Sequence, residues 1–374
     1  MPSVAIIGTR GYPSFYGGFE TAVRKLAPYL AEAGWDVTVY GRQHESPPEG
    51  FTPDDRVTSV VTRGFDTRSL STLSYGATAS LHALRKRPDA ALVMNVANGF
   101  YLPFLRAARI PTLVNVDGIE WDRAKWGRLA KSMFKAGARL TASHATELVM
   151  DAVAIDARWR KEFGRGGTFI PYGGEQPQPS EAPLGLAHRG YVIAVARFVP
   201  ENSIAEFFAA VPKIAAKYPV VIVGSEGYNG EFDAHAARLD AEISDVRWLG
   251  HLKDDALLMS LWQHAGVYFH GHTVGGTNPA LVQAMMAGAP VVARDTVYNA
   301  EVLADFRQVS GGHPDEICRS VLSLMDDPAL QSSLSLANMA RAKLHYNWPD
   351  ICARYESALN GIIDRQKGRG SRAH

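Results

Sequence analysis

The stretch Val274–Ala293, VGGTNPALVQAMMAGAPVVA, decides how the rest of the chain is read. Gly275, Gly276, Thr277 and Asn278 form a loop ahead of a helix predicted over Pro279–Ala287. Gly288-Ala289-Pro290 then turns into a buried strand. The start of such a helix presents free main-chain N–H groups and the positive end of the helix dipole, which suits a phosphate or a sugar hydroxyl.

Working outward, short apolar runs alternate with helical patterns along the whole chain. Strands are predicted over Val4–Gly8, Asp36–Tyr40, Val57–Thr62, Ala91–Val96, Thr112–Val116, Ala152–Ile155 and Thr168–Pro171. Helices such as Phe19–Ala33 and Ser71–Arg87 fill the gaps, with Pro28 expected to kink the first and Gly34 to end it. The alternation implies parallel strands with helices on both faces. Gly173–Gly190, rich in Gly and Pro, breaks the rhythm. A second alternation follows through Tyr191–Ala196, Val220–Gly224, Val246–Gly250, Val267–Phe269 and Pro290–Ala293. The expected organisation is a first doubly wound domain over 1–174, a linker over 175–189, a second domain over 190–346, and 347–374 as a last helix, about Trp348 to Ile363, with a basic tail.

Composition narrows the function classes. Of the 374 residues 46% are hydrophobic and 21% charged, and the net charge is +1, so there is no global pull toward nucleic acid or membrane. Cys318 and Cys352 form no metal-ligand or redox spacing, which fits a reducing cytosolic setting. The chain opens directly on a strand, so no signal peptide is expected, and no apolar run approaches the roughly 20 residues of a membrane span.

Several polar clusters lie where strands end. Gly8-Thr-Arg10-Gly11-Tyr-Pro-Ser-Phe-Tyr-Gly17-Gly18-Phe-Glu20 places two glycines at a helix entry, where backbone approaches an anion closely. Its spacing is not the dinucleotide fingerprint. Glu20 is either an acceptor contact or a first-turn residue favoured by the helix dipole. Asp117-Gly118-Ile-Glu120-Trp121 ends the strand Thr112–Val116, and in open α/β sheets ligands bind at such carboxyl ends. Asp117 also reads as a turn aspartate before glycine. Trp121–Lys135 interleaves Arg123, Lys125, Arg128, Lys131 and Lys135 with Trp126, Leu129, Met133 and Phe134. On a helix this is either a core-facing stripe with a solvated back or a face lying on an anionic bilayer. In the second half, Arg197, Glu201 and Asn202 follow the strand Tyr191–Ala196. Gly224–Gly227 offers amides for phosphate, and His251–Lys253 and Asn299–Glu301 follow further strands. His270-Gly271-His272 without a third ligand in a clear pattern is a weak metal signal.

Val274–Ala293 resembles the donor-sugar loop of the retaining GT-B glycosyltransferases of the family 4 type. Their usual pattern is two spaced glutamates followed by Ala-Met and Gly-x-Pro-Val-Val. Ala284-Met285 and Gly288-Ala289-Pro290-Val291-Val292 match, and Gly275 and Gln283 stand at the acidic positions. The strings GTRGYPSFYGGFET (8–21), NVDGIEWDRAKW (115–126) and HTVGGTNP (272–279) together resemble a narrower, rhamnosyltransferase-type branch. The resemblance implies an α/β GT-B fold, two Rossmann-like doubly wound domains facing across a cleft, with the last helix crossing back to the first domain. It implies a nucleotide-sugar donor whose diphosphate meets Arg197, Gly275, Gly276, Thr277 and Asn278, with Gly224 and His272 lining the site. Gly17 and Gly18 would face the same diphosphate. Asn202 replaces a lysine of the family element, and Gln283 and Glu301 would receive the ribose hydroxyls. Asp117 and Glu120 would serve the reacting centre.

The expected activity is metal-independent, cofactor-free, retaining sugar transfer. L-Rhamnose from dTDP-rhamnose leads, with hexoses from UDP or GDP open. The acceptor would be a saccharide or lipid-linked saccharide in bacterial cell-surface polysaccharide assembly. The setting would be cytoplasmic, with peripheral membrane contact through 121–139 and no nucleic-acid partner. Two rivals are a nucleotide-sugar epimerase on the same fold and a non-catalytic nucleotide-sugar-binding homologue.

Overall fold

The computed structural model describes residues 1–15, 17–42, 51–65, 71–123, 126–227 and 230–371. Lys125 and the end of the basic tail, Arg372–His374, lie outside the described residues. The chain divides into two compact units, Met1–Tyr172 with Trp348–His374, and Gly173–Asn347. Gly173–Gly190 belongs to the second unit, fastened by contacts such as Ser180 Oγ to Gln263 Oε1 (2.6 Å) and Ser260 Oγ to the Glu181 carbonyl (2.9 Å).

In the first unit, β1 (Ser3–Ile7), β2 (Asp36–Gly41), β3 (Val57–Val61), β4 (Ala90–Met94), β5 (Thr112–Asn115), β6 (Glu147–Met150) and β7 (Thr168–Phe169) form one sheet in the order β3-β2-β1-β4-β5-β6-β7. Among the described residues every pairing is parallel, with Val4 beside Val37 and Ile6 beside Leu92. The central strands are apolar because both faces are covered. One face packs the helix Gly18–Glu32, whose Val23, Leu26, Ala27 and Leu30 recur at helical spacing. That helix runs on through Pro28, which forfeits one ladder hydrogen bond. Gly34 follows its end with φ +88°, the conformation that favours glycine.

The last helix, Trp348–Ser371, joins this same face through Trp348, Ile351, Cys352, Tyr355, Leu359 and Ile362. It is longer than the sequence pattern predicts. Truncating buried Leu359 to alanine would cost about 2–5 kcal/mol. The opposite face holds the helices Ser71–Lys86 and Arg128–His144.

One predicted strand is wrong. Ala152–Ile155 is not a strand; Glu147–Met150 is, and Val153–Phe163 is a helix. Ile155 and Trp159, both fully buried, are spaced for one helical face, a period hidden by the short β-like run VAI.

The second unit repeats the plan. Its strands are β8 (Val192–Val195), β9 (Val220–Val223), β10 (Val246–Trp248), β11 (Val267–His270), β12 (Val291–Arg294) and β13 (Val309–Ser310), in the order β10-β9-β8-β11-β12-β13. All pairings are again parallel. The two-residue β13 is too short to give a sequence pattern. Two apolar clusters, one on each face, complete the layers.

Candidate active site

In the second sheet the chain leaves β8 toward β9 and later returns to β11 on its other side. Ligands bind outside the carboxyl ends of the strands at such a switch. The loops there are Ala196–Ser203 and Gly271–Asn278, and they are laced together. Thr273 donates from N (2.9 Å) and Oγ1 (2.8 Å) to the Glu201 carbonyl, and Ser203 Oγ donates to the Gly271 carbonyl (2.9 Å). A Cβ at Gly271 would lie 2.0 Å from the Asn202 carbonyl oxygen, so only glycine fits. Asn202 is buried and donates from Nδ2 to the Arg197 carbonyl (2.8 Å). The residue in the lysine position therefore shapes the loop that carries Arg197. The Arg197 side chain is exposed and forms no ion pair among the described residues.

Gly275 has φ +107°, and Asn278 caps the helix Pro279–Met286 by accepting from the Ala280 N–H (3.0 Å). The Gly275 and Gly276 N–H groups donate to nothing within the described residues. The loop is therefore fastened at its end by the cap and offers two unused donors. Behind it, His270 is 1% exposed. Its Nδ1 bonds Tyr268 Oη (2.9 Å), its Nε2 has no partner among the described residues, and its ring lies parallel to that of His272 at 5.0 Å. Burial pulls its pKa down to about 3, so the imidazole is neutral at ordinary pH. Asn299, buried at the start of the helix Val297–Leu303, ties the His272 and Arg294 carbonyls together (2.9 Å each).

Two expectations for this unit meet competing contacts within the chain. The Gln283 amide is engaged at both ends: Oε1 accepts from the Glu175 N–H (3.0 Å) and Nε2 donates to the Glu175 carbonyl (2.6 Å). An amide matches both main-chain groups of one residue, which a carboxylate cannot do. Three of the four amides of Gly224–Gly227 are taken up within the chain. Those of Gly224, Glu226 and Gly227 donate to the Gly250 carbonyl (2.7 Å), Asp233 Oδ1 (2.9 Å) and Ser225 Oγ (2.8 Å). Gly224 is glycine because a Cβ would sit 1.8 Å from the Ala196 carbonyl oxygen. Arg341 Nη2 holds the main-chain carbonyl of Glu301 (2.9 Å), which concerns its backbone and not the carboxylate expected to meet the ribose. His251 and Lys253 are exposed beyond the edge strand β10.

In the first unit the switch lies between β1 and β4. The glycine loop after β1 is pinned by the helix it enters: Glu20 Oε1 accepts from the Arg10 N–H (3.3 Å) and Arg24 donates to the Ser14 carbonyl (3.2 Å). Glu20, a first-turn residue, thus braces the loop. Gly8 has φ +94°, and a Cβ there would meet the Met94 carbonyl oxygen at 2.3 Å. Gly17 caps the helix and Gly18 begins it.

Asp117 follows β5 with φ +58°, an uncommon conformation outside glycine that clusters at functional positions. Asn115 sets this turn. Its Oδ1 accepts from the Asp117 N–H (2.9 Å) and its Nδ2 donates to Tyr355 Oη (2.7 Å) on the last helix. Asp151 after β6 and Tyr172 after β7 complete a buried polar group. Burial first, then the charges of Asp117 and Asp151, drive the Tyr172 phenol well above its ordinary range. Sequence reading misses Asn115, Asp151, Tyr172 and Tyr355. Nothing local marks them, and Tyr355 is 240 residues from its partner.

Glu120 is a brace within the chain: Oε1 pairs with Arg123 Nε (2.8 Å) and Oε2 accepts from Trp126 Nε1 (2.8 Å). The aromatic stripe also turns inward. Trp121 packs edge-on to Trp159 and Phe163, Trp126 rests on Phe134, and Lys135 pairs with Glu162 (2.7 Å). The helix itself starts only at Arg128. Leu129 is 86% exposed, while most of the other apolar residues of the stripe face inward. Among the described residues no helix is long and apolar enough to cross a membrane.

Comparison with known proteins agrees with this layout. Residues 17–173 match the model of the Glycosyl transferase 4-like domain, and residues 189–327 that of Glycosyl transferases group 1. A region of 223 residues is 31% identical to the phosphatidyl-myo-inositol mannosyltransferase of Mycolicibacterium smegmatis, covering 56% of this chain and 56% of that protein. The chain thus spans about half the length of that curated relative. Two solved structures share the fold. Sucrose-phosphate synthase from Thermosynechococcus elongatus has a TM-score of 0.82 at 17% identity, over 98% of this chain and 100% of that one. Anabaena HepE in complex with UDP-glucose has a TM-score of 0.74 at 15% identity, over 96% of this chain and 100% of that one. Each half of the chain therefore carries a glycosyltransferase domain on a doubly wound parallel sheet. The fold is thus that of the GT-B glycosyltransferases, with one matched glycosyltransferase domain in each half.

Proposed function

We propose that the protein transfers a hexosyl group from a nucleoside-diphosphate sugar to a hydroxyl of a saccharide or lipid-linked acceptor. The observation that carries this is the set of unused donors at the switch of the second sheet: the exposed Arg197 guanidinium and the Gly275 and Gly276 N–H groups at a capped helix start. They suit a diphosphate, whose charge grows as it departs. The relative solved with UDP-glucose and the mannosyltransferase relative support the same reading.

In the proposed step the acceptor oxygen bonds the anomeric carbon on the face the diphosphate leaves. The carbon–phosphate-oxygen bond breaks, and the acceptor proton passes to the leaving phosphate oxygen. This scheme requires no protein nucleophile, and neither a metal ion nor a cofactor. Asp117 orients the acceptor hydroxyl and steadies positive charge developing on the sugar. The remaining contribution is positioning and charge stabilisation. Rhamnose from dTDP-rhamnose leads among donors on the strength of the three long motif strings, within cell-surface polysaccharide assembly and a cytosolic setting.

Titration with dTDP-rhamnose, UDP-glucose, UDP-N-acetylglucosamine and GDP-mannose tests this. Calorimetric binding of one donor with slow release of its nucleoside diphosphate is the expected result. No binding to any of the four would sink the donor site. Interconversion of a donor supplied alone would favour an epimerase instead.

A further inference from the structure

Arg294 closes β12, beside His270 of β11 through the Ala293 pairing and beside Ser310 of β13. Its Nη1 donates to Ser203 Oγ, the residue that begins the helix Ile204–Ala215. That hydroxyl passes the contact on to the Gly271 carbonyl (2.9 Å), in the loop that leads to Gly275. On its other side the guanidinium lies against Gly312, where a Cβ would meet Nη2 at 2.4 Å, just ahead of the helix Pro314–Met325. A cation is thus wedged between the amino ends of two twelve-residue helices, the ends where the dipole disfavours positive charge.

Among the described residues no acidic side chain compensates it: no carboxylate lies within ion-pair distance of Arg294, and its Nε is out of solvent without a partner. Glu201, two residues before Ser203, forms no ion pair either. Other half-buried arginines are satisfied: Arg165 donates to the carbonyls of Ala142, Ala145 and Thr146, and Arg189 to those of Ala265 and Gly288. Arg294 spends one of its five N–H donors. An uncompensated, partly desolvated guanidinium at two helix amino ends is costly unless an anion completes it.

We propose that Arg294 is the second cation of the donor-diphosphate subsite, acting with Arg197 on the same nucleoside diphosphate. A diphosphate carries at least two negative charges, and the Ala196–Ser203 loop supplies one cation. The assignment rests on the donor reading above and adds a charge that the motif comparison does not contain.

The experiment is calorimetric titration of the full chain with UDP, dTDP and GDP, and with the nucleoside of whichever binds best, measured by saturation-transfer NMR. Arg294→Gln is expected to weaken the diphosphate 10- to 100-fold and the nucleoside less than 3-fold. Arg294→Lys, which keeps the charge, is expected to recover most of the loss. Equal loss of diphosphate and nucleoside, or a lysine variant no better than glutamine, would make Arg294 a structural brace and overturn the proposal. If the wild-type chain binds a diphosphate and Arg294→Gln binds it equally well, the Arg294 assignment alone falls. If the wild-type chain binds none of the three, the donor reading falls and this assignment with it.

Discussion

The two sheets are wound alike, each reversing direction at a strand pair in its middle, yet their carboxyl edges carry opposite chemistry. In the second unit the edge holds Arg197, Arg294, the Gly275 and Gly276 N–H groups and a neutral His270. In the first it gathers Asp117, Asp151, Tyr172 and Tyr355 around Asn115. A shared topology therefore fixes where a ligand sits and leaves its charge to the loops. On the proposed reading the first edge orients a hydroxyl and steadies a developing cation, and the second holds a leaving anion.

The sharpest way to break this division is at Asp117. Asn tolerates the same left-handed backbone, so Asp117→Asn removes charge with little strain. Turnover is expected to fall about 100-fold or more, with donor affinity by calorimetry unchanged. A matching loss of donor binding would mean that Asp117 belongs to the donor site. Arg197→Ala should show the reverse pattern, weakening donor binding about 10- to 100-fold.

His270 gives the second edge a pH signature that the first lacks. Its folded pKa of about 3 lies below the ordinary 6.5, so the unfolded chain takes the proton first. The stability it contributes is full above about pH 6.5 and is lost as pH falls toward about 3. By pH 4 that amounts to about 3 kcal/mol. Denaturant unfolding of His270→Asn should show a flatter pH dependence than the wild type over that window. Identical slopes would mean that acid destabilisation resides elsewhere.

A milder effect is expected at Tyr355→Phe. It removes the phenol that Asn115 grips, at about 1 kcal/mol in the unfolding free energy. Turnover should fall by less than in Asp117→Asn, again at constant donor affinity. A change in donor affinity would blur the line between the two edges.

The sequence was most legible where structure is local and periodic. The strands at Val4, Asp36, Thr112, Val192 and Val267 and the capped helix at Pro279 follow from apolar runs and a Pro-led helix start. Arg197 and the Gly275–Asn278 loop could be placed because they directly follow strands. What could not be read depends on distant chain. Asn115 and Tyr355 meet only because the last helix packs on the first sheet. Arg294 looks like the end of a buried strand until the start of the helix Ile204–Ala215 and Gly312 enclose it. Glu120 looks free until Arg123 and Trp126 take both of its oxygens. Ala152–Ile155 misled because four residues cannot separate a two-residue period from a helical one.

Gln283 is the smallest test and the most pointed, because motif comparison and geometry assign it different partners. By resemblance it stands where a glutamate receives ribose hydroxyls, so Gln283→Glu would strengthen donor binding. In the fold its amide grips the Glu175 main chain at both ends, and a carboxylate there loses the donated bond and faces a carbonyl oxygen. The expected result is donor affinity within about 2-fold of wild type and a stability loss of about 1–2 kcal/mol. The loss should show as faster hydrogen exchange near Glu175. Tighter donor binding without that local loosening would return Gln283 to the donor site and enlarge the second edge by one residue.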